Sequence, residues 1–107
     1  MSKTKKGRSP AFVMLNRAMV KSESWYSLTS AERDVYIMLK ANYNGKNNGE
    51  VRLTYKEMGV MMSRATFSKA IKGLIDKSWI EKTKQGGLTR WHSEYLLTGK
   101  HEPILKQ

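Results

Sequence analysis

Val35, Met38, Leu39 and Tyr43 recur at the spacing of an amphipathic helix, and Phe67, Ala70, Ile71 and Leu74 repeat that spacing further along the chain. The first set follows Thr29-Ser30-Ala31-Glu32, a capping-box signature with Thr29 as N-cap and Glu32 three residues on. Asn44-Gly45 predicts its end, because Gly takes the left-handed conformation cheaply. The second set follows Ser63 as N-cap and predicts a helix from Arg64 to Lys77. Between the two, Asn47-Asn48-Gly49 predicts a turn and Glu50–Leu53 a short strand with Val51 and Leu53 facing inward. A short helix follows, capped by Thr54 with Glu57 three residues on and interrupted at Gly59. Trp79–Lys84 and Trp91–Thr98 read as strands joined by Gln85-Gly86-Gly87-Leu88-Thr89-Arg90. Upstream, the pattern predicts a short helix over Val13–Val20, a break at Ser22–Ser24, and Trp25 as a plug for the core.

This order of elements predicts an α+β fold, mainly helical, with three to four helices and a small antiparallel sheet. Its 107 residues suit one domain. Residues 1–11 read as a disordered basic arm, 12–98 as the folded domain and 99–107 as a loose tail, polar apart from Ile104 and Leu105. Neither an internal repeat nor a low-complexity tract is visible.

Charge narrows the class of partner. The net charge is +11, which favours polyanions but says nothing about fold. It is also uneven. Residues 1–22 carry Lys3, Lys5, Lys6, Arg8, Arg17 and Lys21 with no acid, residues 23–50 carry three bases against four acids, and residues 51–78 carry six bases against two acids. The positive potential therefore belongs to the arm and the second half. No window is apolar for long enough to span a membrane, and no signal-peptide run follows the basic start. There is no cysteine, which removes disulfide and thiol chemistry and fits a cytoplasmic setting.

Catalysis finds little support. His92 and His101 are the two histidines, and no set of His and carboxylates has zinc-ligand spacing. Neither a phosphate-cradling glycine loop nor a nucleophile elbow is present. Glu32 and Asp34 sit at a helix start, where acids answer the helix dipole. Glu57, Glu81 and Glu94 show no pairing suited to acid–base work. The expectation is a protein that is not an enzyme and needs no cofactor or metal.

Thr54-Tyr55-Lys56-Glu57-Met58, then Ser63-Arg64-Ala65-Thr66-Phe67-Ser68-Lys69-Ala70-Ile71-Lys72-Gly73-Leu74, then Trp79-Ile80, resemble the winged helix-turn-helix of bacterial, phage and plasmid DNA-binding proteins. Leu28-Thr29, Tyr43-Asn44-Gly45 and Asn47-Asn48-Gly49 fit the same resemblance, which covers residues 12 to 98. It implies a double-stranded DNA partner, a recognition helix at 64–77, a β-hairpin wing, and a nucleoid-associated role in transcription, replication or partition of a mobile element. Two departures stand out. The first helix and turn are shorter than usual, which predicts a tight or irregular stretch over Met58–Met62. Ser78 also stands where such proteins often carry Gly. A Ser in the left-handed region is strained by about 1 kcal/mol or more, which predicts a different helix ending.

On a wheel of residues 64–77, Ala65, Lys69, Lys72, Gly73 and Asp76 lie opposite the apolar side, with Thr66 and Ser68 on the flanks. A small residue, two lysines and two hydroxyls suit close approach to a major groove. Arg64, on the first turn, is the candidate guanine contact through its two-pronged guanidinium. Lys82, Lys84 and Arg90 are expected on the phosphate backbone, with period-two spacing placing Lys82 and Lys84 on one face. Lys3, Lys5, Lys6 and Arg8 are expected on flanking phosphates or in a minor groove. The same residues also describe an ordinary solvated helix, hairpin and tail. Trp25, Trp79 and Trp91 could stack on single-stranded bases, but core positions suit them better; Met58, Met61 and Met62 read as core filler before partner groove. A general RNA or single-strand binder and a protein-interaction module remain as alternatives. A homodimer stays open, with Phe12–Trp25 as its candidate surface.

Overall fold

The computed structural model describes residues 13–85 and 93–102. Five helices and a three-stranded antiparallel sheet make up these residues, in the order α1 (Arg17–Val20), α2 (Glu23–Tyr26), α3 (Ser30–Asn42), β1 (Val51–Arg52), α4 (Tyr55–Met58), α5 (Arg64–Asp76), β2 (Ile80–Lys84) and β3 (Glu94–Leu97). The sheet order is β1-β3-β2. No helix among the described residues is long and apolar enough to cross a membrane.

Caps decide where the helices begin. Thr29 and Thr54 both close capping boxes, each hydroxyl accepting from the N–H of the glutamate three residues on, while that glutamate accepts from the threonine N–H. Helix formation near the N-terminus is later and more broken than the apolar pattern predicts. Asn16, not Val13, starts α1, its side chain accepting from Met19 N at 3.0 Å. Ser22 ends α1 and starts α2 at once: its hydroxyl donates to Met19 O and accepts from Trp25 N. The break expected at Ser22–Ser24 is thus only Lys21 and Ser22, and Ser24 already lies in α2, which makes five helices where the sequence pattern predicts three to four. At the other end of α3, Tyr43 leaves the helix in an extended conformation, and Gly45 takes positive φ two residues later.

The core lies between α3, α5 and the inner face of the sheet. Val35, Tyr36 and Leu39 meet Ala70, Ile71 and Leu74 across the helix pair, and Val51, Ile80, Tyr95 and Leu97 close it from the strands. Burying one such large side chain contributes about 1.5–3 kcal/mol. Trp25, Tyr36 and Trp79 form three mutual edge-to-face contacts with centroids 5.1–6.1 Å apart, each adding about 0.5–1.5 kcal/mol beyond area. Trp25 and Trp79 are therefore core residues, as is Met58; Met62 is half-buried and Met61 exposed.

The end of α5 corrects one expectation. Ser78 does enter the left-handed region, with φ 68°. Ser78 N donates to Ile75 O at 3.0 Å and Trp79 N to Leu74 O at 2.9 Å, the paired bonds of a Schellman ending. The strain persists because the motif delivers Trp79 into the core beside Leu74, and because Thr98 Oγ1 donates to the Ser78 carbonyl at 2.8 Å.

A second correction concerns Gly73. The wheel puts it on the outer side, but it faces α3: a Cβ there would sit 1.9 Å from Glu32 Oε2. Glu32 is a buried carboxylate that accepts from Thr29 N at 2.9 Å and from Lys77 Nζ at 2.7 Å. The hydrogen at position 73 is what lets this carboxylate lie against α5.

The tail is not loose throughout. His101 stacks on Trp79 with centroids 4.5 Å apart, and its Nε2 donates to Lys77 O at 3.0 Å. Glu102 is 2% exposed. It accepts from the Tyr36 hydroxyl at 2.6 Å, from Lys40 Nζ at 3.0 Å and from the Asn16 backbone N–H. Burial, then the hydrogen bond and charge of Glu102, push the Tyr36 phenol far above its usual value. Burial also raises Tyr95, against an opposing hydrogen bond from Ser93.

Two outcomes follow for stability. Gly73→Ala should destabilise the fold by about 1–2 kcal/mol, because the displaced Glu32 outweighs the gain in helix propensity. In a Glu32→Ala background the same change should instead stabilise by about 0.5–1 kcal/mol, a sign reversal that denaturant titration of the four proteins reads directly. The tyrosines set an alkaline limit. Their phenols ionise near 10.0 when unfolded and higher when folded, so their contribution is complete below about pH 10 and is lost as pH rises beyond it. Unfolding free energy should therefore fall above about pH 10, and Tyr36→Phe should flatten that fall.

Candidate nucleic-acid interface

Arg64, Ala65, Thr66, Ser68, Lys69 and Lys72 are all exposed on α5. The periodicity that buries Ala70, Ile71 and Leu74 necessarily turns these residues outward. Gly73 drops out of this face for the reason given above, so the face is narrower than the wheel suggests. Ser63 caps the helix through Thr66 N at 3.1 Å, and its hydroxyl lies 3.0 Å from Thr66 Oγ1, so the Thr66 side chain is tied to the cap. Lys72 lies 3.7 Å from Asp76, both well exposed, a pairing that holds the lysine only weakly.

Arg64 does not extend freely into solvent. Its guanidinium carbon sits 4.4 Å from the centre of the Tyr55 ring, across the turn from α4. That turn is as tight as its length predicts: Met61 N and Met62 N both donate to Met58 O. Val60 projects from it at 93% exposure. Lys56 adds a further exposed base on α4.

The sheet contributes differently from expectation. β2 pairs with β3 through Lys82 opposite Tyr95 and Lys84 opposite Glu94, with a one-residue irregularity between. Opposed residues share a face, and Glu94 and Tyr95 alternate. Lys82 and Lys84 therefore point to opposite faces, not to one. The extra residue, Thr83, donates its hydroxyl to Gly49 O at 2.5 Å, which ties the irregular step to the β1 side of the fold. Lys82 Nζ reaches Gln85 Oε1 at 3.2 Å. Lys84 lines an open hollow of about 680 Å³ with Asn42, Asn47, Glu50, Arg52, Glu57 and Glu94. Arg52 and Glu94 pair there at 3.1 Å, and Asn42 Nδ2 donates to Arg52 O and Glu57 Oε2. Three carboxylates around Lys84 lower the positive potential on that face.

Lys3, Lys5, Lys6, Arg8 and Arg90 lie outside the described residues, as do Gly86-Gly87, Trp91 and His92. Among the described residues no group of three or more His, Cys, Asp or Glu could hold a metal ion. The sequence reading missed Tyr55, whose only signal was an aromatic at the start of a helix. It also missed Glu102, which carries no local pattern at all. No family model, curated protein or solved structure matches the chain significantly.

Proposed function

We propose that the chain is a double-stranded DNA-binding protein of the winged helix-turn-helix class. It inserts α5 in a major groove, sets the β2–β3 wing and basic arm on flanking phosphates, and regulates transcription, replication or partition of a mobile element. The observation that carries this reading is the outer face of α5: three bases, two hydroxyls and one alanine, uncovered along a helix whose other side is anchored in the core. Such a face is small enough to enter a groove and positive enough to be drawn there. The sheet order β1-β3-β2, with β2 following α5 directly, supports a wing beside the helix. Of the tryptophans that could stack on single-stranded bases, Trp25 and Trp79 are buried in the core, which leaves Tyr26 as the exposed aromatic among the described residues. The mixed charge around Lys84 makes Lys69 and Lys72 the principal phosphate contacts, ahead of the sheet.

Selection of bound duplexes from a random pool, followed by a salt series, tests this reading. Lys69→Ala with Lys72→Ala should weaken all duplexes about tenfold or more at moderate salt and reduce the salt slope by about 2. Arg64→Ala should instead relax preference at one base pair by about 1–3 kcal/mol. Absence of duplex binding, or binding indifferent to the lysine pair, would remove α5 as the contact surface.

A further inference from the structure

Arg64 and Tyr55 open two successive helices, and the turn between them brings their side chains together. The ring lies 6.0 Å from Phe67, tilted by 51°. On another side it approaches the backbone of the turn: ring atoms would stand 3.6 Å from a Cβ placed on Gly59. Tyr55 is half-buried as a result, wedged between α5 and the turn. It is a fixed platform, and the guanidinium lies over it at 4.4 Å. No ion pair among the described residues takes the Arg64 charge.

A guanidinium donates only in its own plane, through a rigid fork of N–H groups. A ring lying against its flat face would occupy a side that makes no hydrogen bonds, leave the donor edge free and restrain rotation of the long side chain. A lysine at the same place could lie over the ring but would present a point charge and no fork. Restraint of this kind lowers the ordering cost that a flexible side chain meets on binding.

We infer that Tyr55 is a positioning residue that holds Arg64 at the start of α5, with its N–H fork presented to the O6/N7 edge of a guanine. This rests on the duplex-DNA reading above. It adds that base discrimination at one position depends on a residue of α4 that need not touch DNA. The platform acts on specificity, not on general affinity, because Tyr55 carries no charge to exchange for counterions.

Two measurements test it, one of them without DNA. In the free protein, the Arg64 side-chain resonances should carry a ring-current shift that Tyr55→Leu abolishes and Tyr55→Phe keeps, since the ring and not the hydroxyl forms the platform. Random-coil Arg64 shifts in the unaltered protein would overturn the pairing, whatever the protein binds. In duplex selection, the guanine position lost in Arg64→Ala should lose about two- to fivefold of its discrimination in Tyr55→Leu, with other positions and the salt slope unchanged and Tyr55→Phe like the unaltered protein. A uniform loss across all duplexes would mark Tyr55 as merely structural and overturn the proposal. So would unchanged or sharper guanine preference in Tyr55→Leu, in both cases leaving the DNA reading intact. If the unaltered protein selects no duplex, the DNA reading falls and the guanine role falls with it, even where the ring-current shift persists. Thermal melts identify any failure of Tyr55→Leu to fold; Tyr55→Phe and Arg64→Lys then decide. Loss of the shift or of guanine preference in Tyr55→Phe, or retention of both in Arg64→Lys, overturns the proposal.

Discussion

Glu32 joins the two long helices that the rest of the molecule is built upon. One carboxylate closes the cap of α3, accepts the Lys77 ammonium at 2.7 Å, and lies in the space left by the missing side chain of Gly73. A buried charge is costly unless it is fully partnered, so the three conditions are interdependent. Remove the cap, the lysine or the glycine, and the carboxylate must move or be stranded. With it in place, α3 and α5 are held in close contact, their apolar faces are committed to each other, and the outer face of α5 is left to solvent.

The same logic of committed faces runs through the second junction. Trp79 must reach the core immediately after α5, and Ser78 accepts left-handed strain so that it can. The Schellman bonds and Thr98 hold that strain in place from both sides. Trp79 then offers a surface to Trp25, Tyr36 and His101. Glu102 extends the contact to Asn16, so the first and last described segments meet on α3. The outward positions of α5 and the Tyr55 platform are consequences of this anchoring, since a helix buried on one side can rotate little about its axis.

Much of the fold was legible because it depends on short-range chemistry. Thr29 with Glu32, Thr54 with Glu57, and Ser63 with Thr66 are contacts between residues three apart, visible in the order of letters. The exposed residues of α5 were equally legible, because their outward direction follows from the apolar period. Val13–Val20 failed as a helix start for the same class of reason: Asn16 competes for the backbone more strongly than apolar spacing organises it. Period two places Lys82 and Lys84 on one face, and the structure puts them on opposite faces, because a one-residue irregularity in pairing leaves no mark on a single strand. Gly73 looked like an outer residue because the wheel contains no α3.

The sequence by itself determined the order of elements from α3 onward, the caps of α3, α4 and α5, the apolar stripe of α5 and the basic residues opposite it. All of these are set within one or two helical turns, where backbone hydrogen bonds and side-chain period act locally. The tertiary structure alone decided that Glu32 serves α5 as well as α3, that Glu102 is buried 66 residues from its Tyr36 partner, and that Arg64 rests on Tyr55. These contacts depend on which surfaces the core brings together. They join residues with no common period, and burial there turns a charge that would cost little in water into a constraint on its neighbours.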